Sequence, residues 1–257
     1  GAYFSIGDDC VRRSLMMLTS AYHIPNIKAN CRLIYTNNPW GSAARGAGPP
    51  QSNFAVECAV NMLAEKMAID PLDFRLKNSL RPGQIAATGM KVEQWPFPEL
   101  CEAMRSHYER ACREAREHQD GVIKRGVGLA AGGFGIGDPG DEAQVALELD
   151  PDGGVTVYAG VADPGEGNDS MLVQLAADGL DLPLDKIRLQ IRNTELTPAT
   201  GFAAGSRMTY MAGGALLNAI EQLKEAMGKS GARTHQELKE AGYPTRFMGR
   251  KATLLEL

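Results

Sequence analysis

The spacing of apolar and polar positions divides the chain into a helical first half and a mixed second half. Asp8 to Ala21 sets Leu and Met clusters at helical intervals, with Asp8 and Asp9 where a helix dipole favours acids, so a helix is predicted there. Ile24-Pro25-Asn26 breaks it, and Lys28 to Thr36 then alternates as a short strand with Cys31, Leu33 and Tyr35 on one face. A second helix is predicted from about Ser52 to Met67. It should bury Phe54, Val56, Cys58, Val60, Leu63 and Met67 and leave Glu57, Asn61 and Glu65 as a polar stripe. Asp70-Pro71 starts a third helix, with proline in the first turn, that ends near Asn78. Arg81 to Trp95 carries Pro-Gly and Thr-Gly punctuation and reads as an irregular connection. Pro96 to Gln119 is predicted to be an exposed amphipathic helix whose apolar stripe is Phe97, Leu100, Met104, Tyr108, Ala111 and Ala115. Asp120-Gly121 ends it and is the expected boundary between a helix-rich segment, residues 1–120, and a segment of hairpin and strand-loop-helix units, residues 121–257.

From Gly126 the period becomes strand-like. Gly126 to Gly137 is expected to be a glycine-rich strand lying against ligand or backbone. Its Gly132-Gly-Phe-Gly-Ile-Gly137 spacing superficially matches a dinucleotide fingerprint, but no helix follows and the match is discarded. Glu142 to Leu149 and Val155 to Tyr158 alternate around the hairpin turn Asp150-Pro-Asp-Gly-Gly154. Two corners of one design follow. The first runs Gly160-Val-Ala-Asp-Pro-Gly165-Glu166-Gly167-Asn-Asp169-Ser170 into a helix marked by Leu172, Leu175, Ala176 and Leu180. The second takes a strand, Asp185 to Arg192, through Thr197-Pro-Ala-Thr-Gly-Phe-Ala-Ala-Gly-Ser-Arg207 into a helix carrying Met208, Ala212, Leu216, Ala219, Ile220, Leu223 and Met227. Small residues admit a ligand close to backbone, and Ser206 or Thr209 would cap the helix. Each corner alone reads more readily as an ordinary strand-to-helix turn; together they read as two helix starts facing one anion. A short helix follows with Thr234 as N-cap and Glu237 three positions on, and Phe247 to Leu257 carries no obvious terminal element.

Composition narrows the partners. The 27 basic and 31 acidic residues among 257 give a net charge of -4 and form no basic stripe, so nucleic acid is not an expected partner. No apolar run approaches the roughly twenty residues of a membrane helix, and no leader pattern opens the chain, so no membrane association and a cytoplasmic protein are expected. The odd set Cys10, Cys31, Cys58, Cys101 and Cys112 contains no C-x-x-C pair; buried reduced thiols are expected, without a disulfide framework or a zinc or iron–sulfur cradle. The four scattered histidines hold no metal in this reading. A chain that opens on Gly1 rather than methionine reads as a piece of something longer. One cation stands out in Trp40-Gly-Ser-Ala-Ala-Arg45-Gly-Ala-Gly-Pro-Pro-Gln51. Arg45 offers a rigid donor fork suited to an oxyanion or carboxylate, and it reads equally as a surface arginine in a turn.

That loop, Asp70-Pro-Leu-Asp-Phe-Arg-Leu-Lys-Asn78, Gly165-Glu-Gly167 and Thr197-Pro to Gly205-Ser-Arg207, in this order, resemble the molybdenum-binding part of the xanthine oxidase family, and bacterial molybdenum-dependent aldehyde oxidoreductases most of all. The resemblance runs from about Tyr22 to Thr253. It implies an α+β fold, mixed sheets with packed helices, forming part of a larger molybdopterin-binding domain. It implies oxidation of an aldehyde or heterocycle with oxygen from water at a molybdenum held by a pyranopterin dithiolene, in bacteria often as molybdopterin cytosine dinucleotide. Iron–sulfur clusters would sit on other domains or chains, and the partners would be the remaining segments or subunits. Gly165, Glu166 and Gly167, with Ala203, Ala204, Gly205, Ser206 and Arg207, are similar to segments that wrap the pterin and its pyrophosphate. Arg45 matches an arginine at the substrate pocket, where it would stabilise a developing oxyanion. Three departures stand beside these matches. Glu166 replaces the usual glutamine, Ala44 and Ala47 replace aromatic residues, and the family's general-base glutamate is expected beyond Leu257. The implied alternatives are an internal or truncated segment, inactive alone, and a degenerate or assembly domain without cofactor.

Overall fold

The computed structural model describes residues 1–3, 5–19, 21–41, 43–119, 121–136 and 140–253. The expectations placed on Ser42, Asp120, Gly137 and residues 254–257 lie outside these. The chain forms two compact units, Gly1–Phe134 and Gly135–Leu257.

The first unit is four helices in sequence: α1 (Gly7–Met16), α2 (Pro49–Lys66), α3 (Pro71–Asn78) and α4 (Phe97–Glu117), each packed on the next. Local chemistry sets their starts. Asp8 and Asp9 lie in the first turn of α1, and the Asp70 carboxylate accepts the amides of Leu72 and Asp73 at 2.7 and 3.3 Å to cap α3. The helix expected through Ala21 stops at Met16.

The interior of this unit reverses the expected polarity of α2. Phe54 is 73 % exposed, and Leu63, Met67 and Cys58 also face outward, while Glu57 is only 4 % exposed. Burial of a carboxylate is stable only with donors around it. Glu57 has four donors here. Its Oε2 accepts Arg75 Nε at 3.0 Å, Arg75 Nη2 at 2.6 Å and the Ala131 amide at 2.8 Å; its Oε1 accepts the Tyr22 hydroxyl at 2.5 Å. Burial, then the neighbouring carboxylate, pushes the Tyr22 phenol well above its ordinary pKa. Arg75, 1 % exposed, also donates to Asn61 Oδ1 and Leu129 O, both at 2.8 Å.

Two strand expectations are corrected in this unit. The stretch from Gly126 to residue 136 forms no strand; α2 and α3 side chains take up its backbone, including Gly133 O at 3.2 Å from Asn53 Nδ2. Residues 28–36 also form no strand, because nothing among the described residues pairs with them beyond one hydrogen bond, Thr36 N to Gly1 O. On α4 the inward residues are Pro98 and Cys101, with Leu100 and Met104 exposed. Cys101 is the one fully buried thiol among the five free cysteines; Cys31 and Cys58 are exposed.

The second unit is α+β. Its sheet is mixed, in the order β3-β2-β1-β4, with β1 (Glu142–Leu149), β2 (Val155–Ala159), β3 (Ile187–Ile191) and β4 (Arg246–Ala252). β1 pairs antiparallel with β2 and β4, and β2 pairs parallel with β3. The connection from β2 to β3 passes through α5 (Asn168–Leu180), as a parallel pair requires. A π-helical turn (Met208–Ala212) leads into α6 (Gly213–Ser230), and α7 (His235–Glu240) starts with the expected capping box of Thr234 and Glu237. Val145, Leu147, Val157, Leu172, Met211, Leu216 and Leu223 form the shared core. The sequence shows no terminal element, yet the chain closes on β4; its Gly249 lies so near α6 that an added Cβ would stand 1.9 Å from Ala215 O.

Glu57→Ala leaves a buried guanidinium unpaired and should lower unfolding free energy by about 3–5 kcal/mol. Urea titration followed by circular dichroism measures this.

Candidate functional site

Two loops leave the sheet from the carboxyl ends of its parallel pair: residues 160–167 after β2 and 192–207 after β3. Neighbouring parallel strands carry their outgoing loops to one edge, where α/β sheets bind ligands. Here the loops border a half-open cavity of about 220 Å³ lined by Glu166, Gly167, Asn168 and Met171 on one wall and Ala204, Ser206, Arg207, Met208 and Thr209 on the other.

The first loop is organised by a residue the sequence reading passed over. Asp163 Oδ1 accepts the amides of Gly165 at 2.9 Å and Gly167 at 3.0 Å, and Oδ2 accepts that of Asp169 at 3.4 Å. These bonds, Gly165 first, hold the Asp163 carboxyl below its ordinary pKa. An aspartate ahead of glycines and a helix start is a legible turn signal in Asp163-Pro-Gly. Gly165 and Gly167 adopt φ of +112° and +89°, and an added Cβ at either meets open space. Asn168, buried, donates to Ala162 O at 2.8 Å and to Glu166 Oε1 at 2.5 Å.

The second loop is braced from inside. The Arg207 guanidinium, 2 % exposed, grips Asp141 with two bonds, Nε to Oδ2 at 2.6 Å and Nη2 to Oδ1 at 2.9 Å. It also donates to the carbonyls of Thr200, Phe202 and Glu142. Thr200 Oγ1 accepts the Gly160 amide and donates to Gln144 O, both at 2.8 Å, which joins the two loops at the sheet. Arg207 therefore lines the cavity with its charge already matched. Ser206 carries φ of +54° after Gly205 at +64°, and neither Ser206 nor Thr209 caps the helix as expected. Their hydroxyls form no hydrogen bond within the described residues and are open to a ligand.

The predicted site residues thus divide. Glu166, Gly167, Ala204, Ser206 and Arg207 line the cavity; Gly165, Ala203 and Gly205 shape the backbone behind it, Ala203 against the core. Arg45 belongs to the first unit, exposed in a turn where Gly46, Ala47 and Gly48 all take positive φ of 101°, 37° and 109°. An added Cβ on Gly48 would stand 2.2 Å from Cys10 O, so α1 fixes this turn at the start of α2. Its guanidinium has no partner among the described residues.

A mixed sheet with two strand-loop-helix units beside one cavity defines an α+β domain with a candidate ligand site. Two family models, each described as a molybdopterin cofactor-binding domain, match residues 1–79 and 102–249. The chain is 39 % identical over 255 residues to the aldehyde oxidoreductase of Megalodesulfovibrio gigas, covering 97 % of this chain and 28 % of that protein. It is 31 % identical over 231 residues to the xanthine dehydrogenase molybdenum-binding subunit of Escherichia coli O157:H7, covering 88 % of this chain and 31 % of that subunit. The crystal structure of the aldehyde oxidoreductase from Desulfovibrio desulfuricans superposes with a TM-score of 0.92 at 35 % identity, covering 98 % of this chain and 29 % of that one. The chain belongs to the molybdopterin-binding domains of the xanthine oxidase family and spans about three tenths of the length of these relatives.

The lowered Asp163 pKa fixes a sign. Its stabilising contribution is complete above the unfolded value near 4 and is lost as pH falls through the lower folded value. Asp163→Asn should therefore flatten the acid limb of a plot of urea midpoint against pH below about 4.

Proposed function

We propose that this chain supplies the cradle for a molybdopterin, in its cytosine dinucleotide form, within a cytoplasmic molybdenum-dependent aldehyde oxidoreductase or related hydroxylase. It acts there with further segments or subunits that carry the general base and the iron–sulfur clusters. The observation that carries this reading is the cavity between the two loops, within a region that belongs to the family.

The residues fit an anionic, partly heterocyclic ligand. At the start of the π-turn the amides of Met208 and Thr209 have no carbonyl one turn back, and with the Ser206 and Thr209 hydroxyls they offer donors on one side of the cavity. Gly165 and Gly167 leave room for close approach on the other wall. Among the described residues no cluster of three His, Cys, Asp or Glu side chains could hold a metal, so the molybdenum would arrive with the ligands of its pterin. When bound, that group supplies oxidation of an aldehyde or heterocycle with oxygen from water. The protein's part would be to hold an anionic portion of that group with Ser206 and Thr209, and to offer Arg45 to an oxyanion forming on the substrate.

A second reading, a degenerate domain that keeps the fold without cofactor, draws on Glu166 and on the capture of the Gly165 and Gly167 amides by Asp163. No helix of the described residues is long and apolar enough to cross a membrane under either reading.

Co-expression with the neighbouring polypeptides, followed by measurement of molybdenum and released cytosine nucleotide per mole of purified chain, separates the two. Both should be present in similar amounts; absence of both would establish the degenerate reading. In the complete enzyme, Arg45→Ala should lower kcat on the order of 10²- to 10³-fold with cofactor content unchanged. Unchanged turnover would remove Arg45 from the pocket.

A further inference from the structure

The two walls of the cavity differ in hydrogen-bonding sense. On one, the hydroxyls of Ser206 and Thr209 and the amides of Met208 and Thr209 can donate. On the other, the polar side chains have only acceptors left. Both Nδ2 hydrogens of Asn168 are used, going to Ala162 O at 2.8 Å and Glu166 Oε1 at 2.5 Å. The amides of Gly165, Gly167 and Asp169 go to Asp163. What remains is Asn168 Oδ1, in a side chain only 4 % exposed, and Glu166 Oε2; neither accepts a bond from the described residues.

Neighbouring cations leave these acceptors alone. Arg207 is held by Asp141, and Arg192 by Asp169, with Nη2 at 3.0 and 2.9 Å from its two oxygens. Glu166 therefore borders the cavity with no ion pair of its own, its direction set by the buried Asn168. At about 220 Å³ the cavity is smaller than the roughly 300–1,000 Å³ of a complete ligand pocket, so it takes one portion of a ligand. That portion has N–H groups toward Glu166 and Asn168, and acceptors or negative charge toward Ser206 and Thr209.

We propose that Glu166, steadied by Asn168, reads the amino-pyrimidinone edge of the pterin. That edge sets a ring N–H and an exocyclic amino group side by side. A carboxylate is an acceptor at both oxygens, and Oε1 keeps a second lone pair beside the Asn168 bond, so two parallel N–H···O bonds can form with no change of protonation. Cytosine places a ring acceptor beside its amino group and leaves the second oxygen nothing to accept. The glutamine usual at this position offers one acceptor and one donor; Glu166 narrows the site to an edge with two donors. The substitution is in this role a specificity determinant. The inference rests on the molybdopterin reading above.

The test uses the chain co-expressed with its neighbouring polypeptides in a host that makes no molybdopterin. The purified complex is titrated at neutral pH with free pterin and with lumazine, the same bicycle with a carbonyl oxygen in place of the amino group. Wild type should bind pterin about tenfold or more tightly than lumazine, since lumazine loses a hydrogen bond to a charged group and turns an oxygen to a carboxylate. Glu166→Gln, a change at an exposed side chain, should bring the ratio to about one or reverse it, because its amide can donate to that oxygen. Equal binding of the two pteridines by wild type, or the same preference in the variant, would overturn the inference. So would a preference seen only for cytidine over uridine monophosphate, which would move the carboxylate to the nucleotide end. Failure to bind either pteridine, in a complex that carries molybdenum and nucleotide when made in a competent host, would overturn it and leave the cofactor site standing. Absence of metal and nucleotide from that complex would remove the cofactor reading, and this inference with it.

Discussion

The buried pair of Arg207 and Asp141 is the constraint on which the site depends. A guanidinium withdrawn from water is tolerable only when its donors are met, and here a bidentate carboxylate and three backbone carbonyls meet them. Two of those carbonyls, Thr200 and Phe202, belong to the loop itself, and the third, Glu142, opens the central strand. One side chain thus ties the loop's curvature to the sheet. Gly201 shows how tight the fit is: at φ +86° its added Cβ would stand 2.6 Å from Arg207 Nη1. An arginine at the head of a glycine loop invites assignment as an anion ligand. In this protein it is the strut that keeps the donor wall in place, and the charge it would lend to an anion is cancelled within 3 Å by Asp141.

The sequence carried much of the second unit because its elements are local. Alternation marked β1 and β2, the Asp150-Pro-Asp-Gly-Gly154 turn marked their register, and Thr234 with Glu237 marked a helix start; each signal is complete within a few residues. The two corners were legible for the same reason, and so was their convergence, because α5 between β2 and β3 implies a parallel pair with both loops at one edge. Failures came where a partner distant in sequence decides the outcome. Glu57 reads as solvent-facing until Arg75, Tyr22 and the Ala131 amide are placed around it. With the carboxylate turned in, the face of α2 that carries Phe54 and Leu63 is turned out. No helical periodicity contains that information, since the preference of a charged residue for water is overridden by three groups outside the helix.

The glycine-rich stretch ending at Phe134 illustrates the same limit. Its composition suits a strand, yet a strand exists only when a neighbour supplies a ladder. The neighbours here are side chains: Arg75, Asn61 and Asn53 donate to its carbonyls and Glu57 accepts an amide. The extended backbone is satisfied without a sheet, and the buried ion pair gains donors and acceptors it would otherwise lack.

β4 shows how far from the cavity its geometry is set. As an edge strand it would leave one row of peptide groups open, a site for unwanted pairing. α6 closes that row with side chains: Asn218 Oδ1 accepts the Arg250 amide at 3.2 Å and Gln222 Nε2 donates to Met248 O at 2.9 Å. Between these bonds lies Gly249, whose missing Cβ lets the helix backbone press against the strand. The helix is therefore fixed in height and rotation along its first three turns by a strand that follows it in sequence. Its leading π-turn carries Met208 and Thr209, so the placement of this side of the cavity depends on the fit of α6 on β4 as well as on the loop before it. A local loop sequence specifies the kind of site; the long-range packing of an otherwise unremarked strand specifies where its donors point.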